Sequence, residues 1–308
     1  MQTKFSIIII HFNGYKRLFK LLESISKLTL REFEVIIIDN ASRDNSFNEI
    51  QNCSFEFDIN FISNDINKGY ASAVNQGISL SNGKYVLICN NDIILPINIL
   101  SDFYQDFIAD SQIGMVVGNL VDFSRNPINT ISSPVNLLSQ FDGINKLYRY
   151  KLGVINQPKF VKNVRGACIS VRRKTIEQSG GMDEDFFFYF EDTEWCHRVL
   201  KNGWKILYDP RVIILHENSG SSKNYFEETR IEFMRSRFIF WQKVFSPRSR
   251  FFLHIWNLGK IFADFFFYMI LSILTLFLNK RFNKKLRERH IIIRWILSGQ
   301  PKKSGLPR

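Results

Sequence analysis

Residues 186–195 read Phe-Phe-Phe-Tyr-Phe-Glu-Asp-Thr-Glu-Trp, a run of aromatics leading straight into Glu191, Asp192 and Glu194. Aromatic rings beside a carboxylate lower the local dielectric and raise the proton affinity of the acid. A general base that works near neutral pH can be built this way. The same residues also describe a core strand entering a helix, where Asp and Glu complement the positive end of the macrodipole. A second acidic turn far upstream, Asn90-Asn91-Asp92, favours chemistry.

The elements around these turns alternate. Ser6 to Phe12 is a continuous apolar run, and Tyr15 to Leu28 carries Leu18, Leu21, Leu22 and Ile25 at helical spacing. Phe33 to Ile38 reads as the next strand and ends in the polar turn Asp39-Asn40-Ala41-Ser42. A short helix over Asp44 to Gln51, a strand over Phe57 to Ile62 and a small-residue helix over Tyr70 to Leu80 follow. Tyr85 to Cys89 is a fourth apolar run. Apolar strands separated by helices predict a mostly parallel central sheet with helices on both faces. In such sheets ligands bind at the carboxyl ends of the strands, where Asp39 and Asp92 both fall. Further strands are expected over Val116 to Phe123, Val164 to Val171 and Trp204 to Leu215. A long polar loop over Ser124 to Lys159 is placed to shape one side of a cleft.

Composition narrows the class. Thirty phenylalanines in 308 residues are unusual, and much of the excess lies in the last quarter. Cys53, Cys89, Cys168 and Cys196 are scattered without metal or redox spacing, which points to free thiols in a reducing compartment. Met1 to Lys4 shows no secretory signal pattern. There is no GxxxxGK[ST], GxGxxG or HExxH pattern. The net charge of +12 is unevenly spread: residues 235–308 carry +14, leaving about −2 for the remainder. An anionic partner is therefore expected for the tail alone.

Taken in order, Asp39-Asn40-Ala41-Ser42-Arg43-Asp44, Asn67-Lys68-Gly69-Tyr70, Asn75-Gln76-Gly77, Asn90-Asn91-Asp92, the Phe-Tyr-Glu-Asp cluster and His216 resemble the family 2 inverting glycosyltransferases of the GT-A fold. The likeness is strongest to their bacterial rhamnosyltransferase-like branch and covers roughly residues 4–220. It implies a GT-A catalytic domain over 1–225, with a nucleotide-sugar half to about residue 120 and an acceptor half from about 121, and a helical basic tail over 226–308. It further implies a hexosyltransferase moving a sugar from a nucleotide-diphosphate donor to a glycan or lipid-linked acceptor. dTDP-L-rhamnose is the favoured donor, with UDP-glucosyl, galactosyl or galactofuranosyl donors as alternatives. A non-catalytic nucleotide-sugar-binding subunit is the alternative of another class.

The family pattern assigns Asp192 as base with Glu191 beside it, and Gly180-Gly181-Met182-Asp183-Glu184 resembles its Gly-Gly-Phe-Asp-Glu turn. Asp39 matches the nucleobase reader, while Asn67, Gly69, Asn75, Asn91 and Asp92 match the donor pocket. Asp92 and His216 match positions that hold a divalent metal, Mg²⁺ or Mn²⁺. Asn90 stands where the motif usually has its first acid, leaving one carboxylate. Strand-end packing is an equal reading for His216, and a structural turn for Gly69. Trp195 reads as core or as an acceptor platform.

In the tail, Ile261 to Leu278 holds one charge, Asp264, between basic flanks. Eighteen residues sit at the lower limit for a membrane span. Symmetric basic flanks fit a helix lying in the interface, or a shallow hairpin with Phe251 to Trp256, better than a span. The expected partner of 246–308 is an anionic membrane surface at the cytoplasmic face. The apolar block is too continuous for a base-stacking platform, so nucleic acid is not expected.

Overall fold

The computed structural model describes residues 4–132, 135–141, 156–217, 225–301 and 304–306. The Met1–Thr3 segment and residues 133–134 and 142–155 of the expected long loop lie outside them.

The amino-terminal half alternates as its patterning requires: β1 (Phe5–His11), α1 (Tyr15–Ser26), β2 (Phe33–Asp39), α2 (Ser46–Gln51), β3 (Ile59–Ser63), α3 (Tyr70–Leu80) and β4 (Tyr85–Asn90). These four strands are parallel, in the order β3-β2-β1-β4. Because side chains alternate along a strand, Ile7 and Ile9 of β1 face α1 while Ile8 and Ile10 face α3. Both sets are buried, which is why the strand reads as an unbroken apolar run. Gly77 of α3 lies so close to β1 that a Cβ there would stand 2.3 Å from Ile8 Cγ2.

The second half makes the sheet mixed. Short β5 (Ile93–Ile94) and helix α4 (Ile99–Ala109) lead to β6 (Ile113–Val121), followed by β7 (Lys159–Val161), β8 (Cys168–Arg172), α5 (Arg173–Ser179), α6 (Glu191–Lys201) and β9 (Lys205–His216). β8 inserts antiparallel between β4 and β6, β9 runs parallel to β6, and β5 and β7 pair antiparallel with β9. Cys89 and Cys168 become cross-strand partners with their sulfurs 4.0 Å apart. Burial pushes the Cys89 thiol well above its ordinary range.

Three helices close the chain: α7 (Phe226–Val244), α8 (Pro247–Leu274) and α9 (Lys280–Leu297). They enclose a third core of Ile231, Phe238, Trp241, Leu253, Ile261, Ile292 and Trp295 that also takes in Phe186 from the aromatic run. The expected hairpin between Phe251–Trp256 and the apolar block does not form. Ser246 caps the helix by accepting from Ser249 N, Pro247 occupies its first turn, and no proline follows before Leu274. The chain turns back only where Leu276 and Phe277 take positive φ, so the helical pair is α8 with α9.

Candidate active site

Two cavities open along the carboxyl edge of the parallel strands. The larger, about 370 Å³, is a cleft lined by Arg17, Asn40, Asn67, Gly69, Tyr70, Asn90, Asn91, Asp92, Phe187, Tyr189, His216, Tyr225 and Leu306, among others. The smaller, about 300 Å³, is lined by Asp39, Ser42, Arg43, Asn64 and Asp65, and shares Phe12 and Asn67 with the cleft.

The donor-side turns are tied by side-chain amides. Asn40 donates to Asn67 Oδ1 (2.8 Å) and to Gly69 O (3.1 Å), while its own Oδ1 accepts from Lys68 N (3.0 Å). Gly69 has φ +86°, and a Cβ there would stand 2.6 Å from Phe187 O. Glycine is therefore needed both for the backbone and for the approach of the aromatic run. That approach ends in a hydrogen bond from Tyr70 N to Phe187 O (2.8 Å).

Asp39 is buried and accepts from Ser42 N (3.2 Å) and from Ser42 Oγ. Burial raises its pKa against those hydrogen bonds. Asp44 provides the local capping instead, accepting from Gly14 N (2.7 Å) and Ser46 N (3.2 Å) ahead of α2.

Asp92 follows β4, and the pairing of Ile93 with His216 brings the two ends together. His216 Nε2 stands 3.2 Å from Asp92 Oδ1, and Asp92 O accepts from Glu217 N (2.9 Å). Asp92 Oδ1 and His216 Nδ1 are buried without hydrogen-bond partners. Buried polar atoms without protein partners suit a cation site. Among the described residues no cluster of three His, Cys, Asp or Glu is present. One carboxylate and one imidazole are the donors that Asp92 and His216 would offer a divalent ion.

Asp192 lies in the first turn of α6, directly after Tyr189 (φ 74°) and Phe190 (φ 69°). Its Oδ2 accepts from Gly166 N (2.9 Å), and its Oδ1 accepts from Thr193 N (2.6 Å) and Thr193 Oγ1 (3.2 Å). Gly166 in turn accepts from Tyr70 Oη (3.1 Å), so Asp192 stands one hydrogen-bonded residue behind the cleft wall. Burial raises the Asp192 pKa, opposed by these hydrogen bonds and by Arg165. Glu191 is buried with Oε2 unpartnered, and burial, then the neighbouring Asp192 charge, pushes it well up.

The structure thus gathers Asn67, Gly69, Asn91, Asp92 and His216 around one cleft, with Asp39 in the adjoining cavity. Asn75 goes elsewhere. Its amide donates to Met182 O (2.7 Å) and Glu184 Oε1 (2.8 Å), and its Oδ1 accepts from Met182 N (2.9 Å). These three hydrogen bonds fasten the Gly180–Glu184 turn, whose Gly181 would place a Cβ 2.3 Å from Asn75 Oδ1. Trp195 is fully buried and donates to Gly180 O (2.8 Å), as the core reading expects.

Four lining residues escaped the sequence reading: Arg17, Tyr189, Tyr225 and Leu306. His11-Phe12-Asn13-Gly14, with left-handed Asn13 and Gly14, was the available signal for Arg17. His11 was also passed over. It is buried, accepts at Nδ1 from Asn91 Nδ2 (2.8 Å) and is therefore an Nε2–H tautomer bonded to Ser46 Oγ (2.8 Å).

Comparison with known proteins bears on this arrangement. The family model described as Glycosyl transferase family 2 matches residues 6–180. The low-salt glycan biosynthesis hexosyltransferase Agl10 of Haloferax volcanii is 25% identical over 252 residues, covering 80% of this chain and 78% of that protein. The N-acetylglucosaminyl-diphospho-decaprenol L-rhamnosyltransferase of Mycobacterium tuberculosis is 25% identical over 246 residues, covering 72% and 78%. Among solved structures, the mannosyltransferase PcManGT of Pyrobaculum calidifontis, in complex with GDP-Man and Mn²⁺, superposes with a TM-score of 0.59 at 14% identity. That match covers 98% of this chain and 88% of the other and shows a shared GT-A fold.

Desolvation lowers the His11 pKa to about 4, against the pull of Asp44. Because the folded value lies below the unfolded one, the stabilisation is complete above pH 6.5 and is lost as pH falls towards 4. The full effect is about 3 kcal/mol. Urea unfolding between pH 7.5 and 4 should therefore show a steeper loss for the native protein than for His11→Gln. Equal slopes would mean that His11 is not held neutral.

Proposed function

Given that this chain belongs to glycosyl transferase family 2 and is a nucleotide-sugar-dependent glycosyltransferase, we propose that it inverts the anomeric centre in a single displacement, with L-rhamnose from dTDP-L-rhamnose as the favoured sugar. The observation that carries this reading is the placement of Asp192. Through Gly166 and Tyr70 it backs the wall of the cleft that Asp92 and His216 also line.

The roles follow from that placement. The acceptor hydroxyl oxygen attacks the anomeric carbon, its proton passes to an Asp192 oxygen, and the C–O bond to the diphosphate breaks with its electron pair leaving on the phosphate oxygen. Burial raises the Asp192 proton affinity, which suits a base, while Gly166 and Thr193 hold the carboxylate in place. Burial and the adjacent Asp192 charge favour the protonated form of Glu191. Asp39 is suited to accept from the ring N–H of thymine or uracil in the smaller cavity. Arg17 faces the cleft where a diphosphate charge would lie. Asp92 and His216 would hold a divalent cation, which when bound supplies Lewis-acid stabilisation of the departing diphosphate. The preference for rhamnose rests on the rhamnosyltransferase relative, and a lipid-linked or polysaccharide acceptor on the same likeness.

The closing helices support a membrane-apposed position at the cytoplasmic face. Helix α8 is long and apolar enough to cross a membrane. Yet its exposed apolar residues, including Phe252, Trp256, Phe262, Phe266, Ile270 and Ile273, recur at helical spacing along one side. The other side buries Asn257 and Ser272 against neighbouring helices and pairs Asp264 with Arg289 at 3.0 Å. A stripe about 32 Å long on one face fits a helix lying flat in the interface, with Lys280, Arg281 and Lys284 near anionic headgroups.

Calorimetry with dTDP, UDP and GDP, each with and without Mn²⁺, tests the donor site. Mn²⁺-dependent dTDP binding should weaken about tenfold or more in Asp92→Ala, a loss of about 1.4 kcal/mol. UDP binding alone would move the donor to a UDP-sugar, and binding of none of the three would overturn the reading.

For the membrane, sedimentation should show binding to phosphatidylglycerol-containing vesicles, weaker at high salt and weakened about tenfold or more by Phe266→Asp with Phe267→Asp. Absence of sedimentation together with a dimer in light scattering would assign the stripe to protein packing.

A further inference from the structure

Arg235 on α7 grips the peptide that follows α9. Its Nη2 donates to Pro301 O (3.0 Å), to Ser304 Oγ (3.2 Å) and to Ser304 O, while its Nη1 is paired with Glu232 Oε2 at 2.5 Å. The guanidinium also lies 5.7 Å from the centre of the Trp295 ring. Next along the chain, Gly305 has φ +118°, a conformation open only to glycine at low cost. A Cβ at Gly305 would stand 2.4 Å from Glu232 Oε2 and 2.5 Å from Arg235 Nη1. The peptide is thus seated directly on the Glu232–Arg235 pair, and the turn at Gly305 delivers Leu306 into the lining of the cleft that holds Asp92 and His216.

Leu306 enters beside aromatic neighbours. Tyr189 belongs to the run that leads to Asp192, and Tyr225 precedes α7. None of these three residues lines the smaller cavity, where Asp39 stands. All three line the cleft that holds Asp92 and His216. An aliphatic side chain and two phenol rings lining one cleft present the kind of surface that receives the C–H face of a sugar ring.

We propose that Leu306, clamped through Arg235, Ser304 and Gly305, is part of the wall that contacts the sugar of the bound donor. This rests on the cleft being the donor site, as argued above. The carboxyl-terminal peptide then has a share in substrate recognition, and α7 carries both of its supports: the clamp on this peptide and the docking face for the Asp192 turn.

Cysteine labelling tests this without an activity assay. The native Cys89, Cys168 and Cys196 are buried and Cys53 is half-buried, so a Cys53→Ser background leaves a cysteine at a chosen position as the reactive thiol. In that background Leu306→Cys should react with N-ethylmaleimide, and dTDP-L-rhamnose or UDP-glucose with Mn²⁺, at ten times its Kd, should slow the reaction about tenfold. Ser304→Cys, on the clamp and outside the cleft lining, should be slowed far less. Equal slowing at both positions would mean that the ligand only orders the peptide, and overturns the contact. Unchanged labelling in protein whose Tm rises with the same donor overturns it while leaving the donor site intact. A donor that neither raises Tm nor slows labelling overturns the reading of the cleft, and this inference with it.

Discussion

Tyr189 and Phe190 are held in left-handed backbone conformations, and the geometry of the cleft depends on keeping them there. For residues with a Cβ this costs about 1–2 kcal/mol each. The cost is offset from outside the turn. Ser236 Oγ donates to Phe188 O (2.8 Å), the Phe190 ring meets Phe240 and Phe233 at 5.2 and 5.3 Å, and Lys243 pairs with Asp183 at 2.7 Å. All of these supports come from α7. The turn they stabilise swings the chain from the aromatic run into α6, setting Phe187 O on Tyr70 N and Asp192 on Gly166 N.

Seen this way, the closing helices and the sheet share one task. The sheet fixes Asp92 and His216 through the β5–β9 pairing, and the helices fix the aromatic run that faces them. Tyr70 joins the two, since its backbone holds Phe187 and its hydroxyl holds Gly166. The environment also separates two adjacent carboxyls. Glu191 is driven well up by burial and by the Asp192 charge, whereas Asp192, also raised by burial, is opposed by three hydrogen bonds and Arg165. Two neighbouring acids with different proton affinities are what a base with a silent neighbour requires.

Much of this was legible in the chain. Unbroken isoleucine runs announce strands buried on both faces, and the polar turns after them place Asp39 and Asp92 on the ligand edge. What could not be read were pairings made by distant segments. β8 carries the same apolar pattern whether it enters the sheet parallel or antiparallel. Asn75 looks like any pocket amide until Met182 and Glu184 are brought beside it. The apolar block after Ile261 gave no sign that its helix begins at Pro247, or that Asp264 meets Arg289. Leu306 is invisible as a cleft residue without Arg235 folding the peptide back.

The most direct test of the account is the rate of sugar transfer in Asp192→Asn, measured in single turnover beside the nucleotide affinity of the same protein. The account predicts an affinity within about twofold of the native protein and transfer slowed about 10²- to 10⁴-fold, the usual reach of a general base. Transfer at close to the native rate by a folded Asp192→Asn protein would contradict it and place the base elsewhere in the cleft.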